Sequence, residues 1–249
     1  MFNNLKLAIQ FLTVFNAGKT KEGPKADDIA KSVVFFPVAG LLLGLICAVS
    51  YNLIVYLTDN HLAASVFPVF LLGLLTRGLH LDGIADTFDA MHFAKYDKKK
   101  ALEVMKDNAV GAFGASALIL LILGKFIFIY SIPYESIFGV LVVIPVISRW
   151  TPSVVARYTS PASGKGLGHT FTGNVTTEYL IISTIITAVI SVLFLGLPGI
   201  VLFISAVIFT SLITWYFNSL FGGTTGDIYG SVIELSELFG FLAAIVILK

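Results

Sequence analysis

Three aspartates in a largely apolar chain are the residues best placed to do chemistry. Asp82, Asp86 and Asp89 stand at positions i, i+4 and i+7, and on a helix that advances by ~100° per residue they fall within an arc of about 60°. Like charges on one stripe repel each other, and near a bilayer each costs about 2.5–3.5 kcal/mol at the helix centre. A divalent cation is the simplest group that offsets this charge. The spacing therefore indicates a metal site, with a solvated acidic helix start as the alternative.

A second acidic element begins in a glycine-rich turn and continues into the last apolar segment. Asp227 stands where the helix starts, and Glu234 returns to the same face two turns later, followed by Glu237. Acidic side chains in a membrane span indicate function. Glycines let a ligand approach the backbone, and successive N–H groups in such a turn can hold phosphate. We predict substrate-binding residues in this turn, with a plain glycine turn as the alternative: Gly222, Gly223, Thr225 and Gly226.

Other polar residues could complete such a site. Lys106 and Asp107 precede the third apolar segment, where Lys106 could pair with a phosphate, and a capped helix start is the alternative. Arg149 follows the fourth segment, and its forked guanidinium suits bidentate contact with phosphate. A snorkelling interface arginine is the other interpretation. His80 stands two residues before Asp82, inside the densest motif.

The composition predicts an all-α, polytopic membrane bundle in a single domain, residues 1–249. Of the 249 residues 57% are hydrophobic and only 12% are charged, whereas a soluble domain carries roughly 25% charged residues. No basic patch interleaved with aromatics suggests nucleic acid as a partner. Phe2, Leu5, Ile9, Leu12 and Phe15 recur at helical spacing, which predicts an N-terminal amphipathic helix in the interface or packed on the protein. Spans of ~20 apolar residues are predicted at about seven places: Val33–Leu57, Leu62–Leu79, Ala109–Tyr130, Ser136–Ile147, Tyr179–Leu197, Gly199–Phe217 and Ser231–Leu248.

The basic residues predict the orientation of these spans. If the spans alternate, 14 of the 16 Lys and Arg residues lie on one side, which the positive-inside rule makes the cytoplasm. The N-terminus is then cytoplasmic, and the acidic motifs lie at the cytoplasmic face of the inner membrane. A transporter would more often carry its polar groups near the midplane. Gly40 and Gly44 in the first span have the spacing of helix-packing glycines.

Together these residues suit displacement at a diphosphate. Mg²⁺ prefers carboxylates and phosphate oxygens to a complete protein cage, and in such chemistry the protein mainly positions the reactants. Mg²⁺ is therefore the predicted cofactor, with a nucleotide-like substrate and the lipid bilayer as partners.

The motifs also resemble the cobalamin synthase family. The resemblance rests on the aspartate segment Leu79–Asp89 and on further segments that run in family order over nearly the whole chain. These are Phe11–Thr13, Phe36–Gly40 with Gly44, Met105–Asp107 with Gly111 and Gly114, Ser148–Trp150, and Gly222–Gly230 with Glu234.

The resemblance implies a Mg²⁺-dependent transferase of cobalamin synthesis. Such an enzyme joins adenosylcobinamide-GDP to α-ribazole or its 5′-phosphate and releases GMP, and it could form a homo-oligomer. We expect Asp82, Asp86 and Asp89 to hold Mg²⁺, with Asp227 and Glu234 contributing from the facing helix. His80 or one of the acids, Asp82 or Asp86, would assist deprotonation of the attacking hydroxyl, and Lys106 and Arg149 would contact phosphate.

Three other classes share parts of this pattern. CDP-alcohol phosphotransferases also combine Asp-Gly with spaced aspartates, but they expect an Arg shortly after that pair, whereas Asp86 follows Ala85 here. Membrane prenyltransferases use paired acidic motifs with Mg²⁺ and generally have more spans. An ion-coupled transporter would place Glu234 and Glu237 in a cavity at the midplane.

Overall fold

A computed structural model describes residues 2–16, 18, 26–107, 109–162 and 167–249 of the chain. Within these residues the secondary structure is helical apart from one isolated bridge between Pro161 and Thr224. The helices are α1 Phe2–Leu12, α2 Ala26–Ser32, α3 Phe36–Thr58, α4 His61–Leu75, α5 Leu79–Ala94, α6 Lys98–Val104, α7 Ala112–Ser131, α8 Tyr134–Tyr158, α9 Leu167–Phe171, α10 Thr177–Phe221 and α11 Gly226–Ile247. A short 3₁₀ turn, Val33–Phe35, joins α2 to α3.

The helices are those of a multi-pass membrane protein. Five helical segments in the described chain are long and apolar enough to cross a bilayer: Asp27–Thr58, Ala112–Ser131, Tyr134–Tyr158, Thr177–Phe221 and Gly226–Ile247. The pair α4 and α5 passes the same test when taken together, with a bend of 86° between its two helices. The all-α membrane bundle is thus confirmed, while the count of seven spans and the cytoplasmic N-terminus stay predictions.

Helix α10 is folded back on itself. Gly196 has non-helical backbone angles (φ 60°, ψ −137°), two residues before Pro198. A Cβ on Gly199 would lie 2.1 Å from the carbonyl oxygen of Ser191, although eight residues of straight helix span about 12 Å. The two arms therefore pack against each other on either side of Gly196, close to the turn that Pro198 and Gly199 predict.

Helix α8 forms the centre of the bundle. Every residue from Gly139 to Ala156 is buried, and α8 packs against α3, α10 and α11. A Cβ on Gly40 would lie 2.3 Å from the carbonyl oxygen of Pro145, and one on Gly44 would lie 2.6 Å from that of Val142. The prediction that these glycines serve helix packing is confirmed, because only glycine allows α3 so close to α8.

Two predicted spans end elsewhere in the structure. The fourth was predicted to be short, from Ser136 to Ile147, but α8 continues to Tyr158 because the surrounding helices bury the later turns as well. The second was predicted to reach Leu79, but α4 ends at Leu75. There Arg77 (φ 56°) and Gly78 (φ 68°) adopt left-handed backbone conformations, which cannot continue a right-handed helix.

The amphipathic α1 is packed on the protein. Ala8 and Leu12 are buried, and α1 contacts α2 and α3. The segment after α1 is attached to the corner between α4 and α5, because the N–H of Val14 donates to the carbonyl of Leu75 at 2.7 Å. Arg77 also donates to the carbonyl of Thr13 at 2.9 Å. The structure thus shows α1 packed on the protein, and its place in the membrane interface stays a prediction.

Candidate active site

The crossing of α5 and α11 brings the two acidic elements together. A Cβ on Gly83 would lie 2.6 Å from the carbonyl oxygen of Asp227, and one on Gly230 would lie 3.2 Å from the Cα of His80. The hydroxyl of Ser231 donates to the carbonyl of Gly83 at 2.8 Å. Without side chains at Gly83 and Gly230 the two backbones touch, so Asp227 lies directly beside the aspartate stripe.

Four carboxylates share this end of the bundle. Asp86 interacts electrostatically with Asp82, Asp89 and Asp227. Asp82 is exposed, whereas the other three are half-buried. Within the described chain none of the four forms an ion pair with Lys, Arg or His. The structure thus assembles the four predicted aspartates and leaves their mutual repulsion without a described cationic side chain.

Asp89 differs from the other three because it caps another helix. One carboxylate oxygen accepts from the backbone N–H of Gly111 at 2.7 Å, and the other accepts from that of Gly114 at 2.8 Å. These N–H groups lie at the start of α7, where free donors and the helix dipole favour an anion. A Cβ on Gly114 would lie 2.4 Å from the Asp89 carboxylate, so the contact requires glycine there.

The donor set suits Mg²⁺ as an ion shared with a substrate. Among the described residues no group of three or more His, Cys, Asp or Glu side chains is arranged so that it could hold a metal ion. Mg²⁺ is usually bound through one or two carboxylates, several waters and substrate phosphates. Aspartates that are at least partly exposed and have no described cationic partner offer that kind of site, and they offer no soft ligand for other metals.

His80 lies under the aspartates and is well enclosed. Its side chain is 3% exposed, and its Nδ1 has no hydrogen-bond partner among the residues that the structure describes. Buried polar atoms are nearly always paired. This ring nitrogen therefore lacks a described partner, and the side chain of His80 lines a cavity that Asp227 also lines.

The glycine-rich turn mainly connects parts of the protein. Its Gly222 N–H ends α10 by donating to Asn218, and the N–H of Thr224 donates to Ser160 at 2.9 Å. The hydroxyl of Thr225 caps α11 by accepting from the N–H of Ile228 at 3.3 Å. Because two of its N–H groups already have protein acceptors, the predicted cradle of successive free donors is not formed over the whole turn. Gly226 is exposed and remains a candidate substrate contact, whereas Gly223 is buried against Pro161 and Ala162.

Lys106 and Asp107 are exposed in the turn between α6 and α7. The Asp107 carboxylate accepts from the N–H of Ala109 at 3.2 Å, which is a local turn contact. No hydrogen bond or ion pair given for the described residues joins either side chain to the aspartates. Their substrate-binding role stays a prediction.

Arg149 and Glu234 belong to a buried charge network. Arg149 was predicted just inside the cytoplasmic face, but α8 continues for nine further residues, about 13 Å of helix. Its guanidinium pairs with Glu237, with both side chains fully buried. Lys125 on α7 contacts Glu234 and Glu237 at 2.5 Å each. Two cations thus neutralise two acids inside the bundle, and the sequence signal for this was a lysine in one apolar span opposite two glutamates in another.

Two cavities adjoin at Phe11 and Leu79, which line both. The first, here called the aromatic cavity, has a volume of about 130 Å³, and its walls include the side chains of Phe36 and Phe171, with His80 and Asp227 among the polar groups. The second, here called the outer cavity, has a volume of about 470 Å³ and is lined by Asp82, Arg77 and Thr13 among others. The aspartates therefore lie between two spaces of different size and polarity.

Comparison with known proteins agrees with this arrangement. A family model described as cobalamin-5-phosphate synthase matches residues 4–245. A relative from Caldanaerobacter subterraneus subsp. tengcongensis is 34% identical, with 96% of each chain covered. One from Fusobacterium nucleatum is 34% identical over 93% of each chain, and one from Acinetobacter baumannii is 33% identical over 93% of this chain and 92% of its own.

All three relatives are named adenosylcobinamide-GDP ribazoletransferase. No solved structure matches the chain. The match of one family model to nearly the whole chain, together with relatives of this identity and coverage, identifies the family. This chain belongs to the cobalamin-5-phosphate synthase family.

Proposed function

We propose that this membrane protein is an adenosylcobinamide-GDP ribazoletransferase. The observation that carries the proposal is the meeting of Asp82, Asp86 and Asp227 at the crossing of α5 and α11, without a described cationic partner, in a chain of this family. Carboxylates that lie close together without a described cationic partner suit the binding of a metal ion that also binds a diphosphate. The second substrate is α-ribazole or its 5′-phosphate.

The reaction is a displacement at phosphorus. A hydroxyl oxygen of the ribazole forms a bond to the phosphorus that is attached to cobinamide. The bond from that phosphorus to the bridging oxygen breaks, and GMP leaves with the electron pair. The hydroxyl proton passes to a base. The product is adenosylcobalamin, or its 5′-phosphate when the phosphorylated ribazole is used.

The residues at the crossing of α5 and α11 have two proposed roles, binding of Mg²⁺ and acceptance of the hydroxyl proton. Asp82, Asp86 and Asp227 would hold Mg²⁺ against the diphosphate, and Asp89 would contribute while its carboxylate is kept in place by α7. When bound, Mg²⁺ neutralises charge on the reacting phosphates. His80, with its free Nδ1, or one of the aspartates accepts the proton of the attacking hydroxyl.

The phosphate contacts fall to exposed groups of the same end of the bundle. Lys106 can reach solvent-facing phosphates as a point charge, and the exposed Gly226 allows close backbone approach. Arg149 and Glu234 act instead through the buried network, which holds α7, α8 and α11 together. The active site faces the cytoplasm of the inner membrane in this proposal, because the basic residues concentrate on the side of the aspartates.

The direct test is turnover by the purified protein. Protein in detergent, with Mg²⁺, adenosylcobinamide-GDP and α-ribazole, is expected to release GMP and the joined corrinoid in equal amounts. Asp82→Asn is expected to abolish both while the protein remains folded. Asp59→Asn, an exposed aspartate at the far end of α3, serves as the matched control with full activity. Folded wild-type protein that forms no product with Mg²⁺ would contradict the proposal.

A further inference from the structure

The aromatic cavity is built to receive something flat and apolar. The ring centroids of Phe11 and Phe36 are 5.9 Å apart, and Phe171 lies 5.3 Å from the first and 5.7 Å from the second. Three aromatic rings thus converge from α1, α3 and α9, the spacing at which rings attract one another edge-on or offset. The ring of Tyr229 extends this wall, and its hydroxyl is already bonded to Thr172 at 2.8 Å.

One side of the same cavity is polar and faces the proposed reaction centre. His80 and Asp227 both line it, and His80 is 3% exposed with an unpartnered Nδ1. A group that fills the cavity would therefore carry an apolar ring on one side and hydrogen-bonding groups on the other. An orphaned buried nitrogen in the wall points to a ligand rather than to packing alone.

The volume restricts what can enter. The cavity measures about 130 Å³, and a dry cavity of about 150 Å³ accepts benzene. One six-membered ring fits, whereas a corrin macrocycle does not. Guanine presents donors and acceptors around most of its edge, and burying these against phenylalanine rings would leave them unpaired at a substantial cost. The carbocyclic ring of a benzimidazole presents only carbon and hydrogen.

We propose that the aromatic cavity is the binding site for the base of the ribazole substrate. This inference rests on the proposed function and adds the place of its second substrate. The carbocyclic ring of the base packs in the cavity against the wall that Phe11, Phe36 and Phe171 form. Its nitrogen-bearing side, with the ribose, extends past His80 and Asp227 toward the aspartates. The corrinoid substrate then approaches from the outer cavity, on the side of Asp82.

Filling the cavity tests the inference. Ile233 lines the cavity and is buried, so Ile233→Phe places a phenyl ring in the space that the base of α-ribazole would occupy. The KM for α-ribazole is expected to rise at least about tenfold, the usual effect of a steric change in an apolar pocket. The KM for adenosylcobinamide-GDP is expected to stay within a factor of about two of the wild-type value, because the substitution weakens the binding of one substrate only. Ile208→Phe, on a lipid-facing surface of α10, is the matched control.

Enlarging the cavity gives a second test that loss of folding cannot imitate. Phe171→Ala removes one wall, so the variant is expected to use the riboside of the wider naphthimidazole with a kcat/KM at least about tenfold above that of the wild type. If the wild type turns over but neither variant changes its use of the ribazole base, the site assignment is overturned while the transferase proposal stands. Binding of α-ribazole in the absence of adenosylcobinamide-GDP is measured by the rise in Tm that it causes, and loss of this rise in Ile233→Phe supports the site. Unchanged stabilisation of that variant counts against the site even when no turnover is seen.

Discussion

The carboxylate of Asp89 accepts a hydrogen bond from the backbone N–H of Gly111 at 2.7 Å, and this bond joins the aspartate stripe to the start of α7. The same carboxylate also accepts from Gly114. α7 carries Lys125, which reaches α11 through its two glutamates. The stripe on α5 is therefore connected to α11 twice, directly at Gly83 and indirectly through α7, and a change at the α5–α7 contact should affect the position of the aspartates.

Gly114→Ala is expected to disturb the site without removing a charge. Its Cβ would lie 2.4 Å from the Asp89 carboxylate and 2.7 Å from the carbonyl of Ala85, so α5 must move away from α7. We expect a loss of about 1–3 kcal/mol in stability, the usual cost of overpacking, and at least about a tenfold loss in kcat, as for a displaced catalytic group.

The measurement is a thermal melt in detergent beside the GMP-release assay. Gly73→Ala is the matched control, because its Cβ would meet only a Leu81 side-chain atom at 3.4 Å, which is ordinary contact. Equal behaviour of the two alanine variants would contradict the proposed role of the α5–α7 contact.

Asp86→Asn is expected to stabilise the metal-free protein while it removes activity. Asp86 interacts with three other carboxylates, so neutralising it relieves repulsion. Partly exposed charge pairs contribute about 0.2–1 kcal/mol, which corresponds to an increase of about 1–3 °C in Tm for a chain of this size. Tm is measured in EDTA and then in Mg²⁺. The wild type should gain stability from Mg²⁺, and the variant should gain less.

The test fails if Asp86→Asn lowers Tm in EDTA, because the aspartates would then have an undescribed stabilising partner. Asp59→Asn again controls for the substitution itself, since Asp59 has a left-handed conformation (φ 50°) that asparagine tolerates well.

The stability of the protein should depend on the charge balance of the buried network of Lys125, Arg149, Glu234 and Glu237. Lys125→Met leaves Arg149 as the one described cation beside Glu234 and Glu237, and breaking a buried pair costs about 3–5 kcal/mol. Lys125→Met with Glu234→Gln restores neutrality, so the double variant should recover part of the lost stability. Thermal melts of the two variants and of Glu234→Gln alone complete the cycle. If the two losses simply add, Lys125 and Glu234 are not coupled in the membrane.

The acidic motifs were predictable because charged residues in an apolar chain have few structural explanations. Spacing alone placed Asp82, Asp86 and Asp89 on one face, and the helix start at Asp227 suggested the facing partner. The depth of Arg149 was not predictable in the same way, because the predicted span ended with the apolar run at Ile147, whereas α8 continues through Arg149 and Pro152 to Tyr158. In a buried helix, packing from all sides outweighs the cost of proline.

The hydrogen-bond partners of individual carboxylates could not be predicted from the sequence, for a different reason. Nothing in the spacing tells that Asp89 meets the start of α7, because this contact depends on how three helices cross. The same holds for the aromatic cavity, whose rings come from α1, α3 and α9 and are far apart in the chain. The glycines at the crossings carried the only local signal. The spacing of Gly40 and Gly44 predicted close helix packing, but it did not predict which helix would pack against them.

Asp227→Asn is expected to change the Mg²⁺ requirement of the reaction. Asp227 lies beside α5 through the Gly83 contact, so its loss removes the one proposed ligand that α11 contributes. The concentration of Mg²⁺ at half-maximal activity should rise at least about tenfold, since metal sites lose that much affinity even when an outer partner is removed. The fold should be kept, because asparagine has nearly the same size and its amide oxygen can still accept from the hydroxyl of the capping Thr225. GMP release is measured over a Mg²⁺ series at saturating substrates. A variant with the wild-type Mg²⁺ profile but a raised KM for α-ribazole would assign Asp227 to the ribose instead, since it also lines the aromatic cavity.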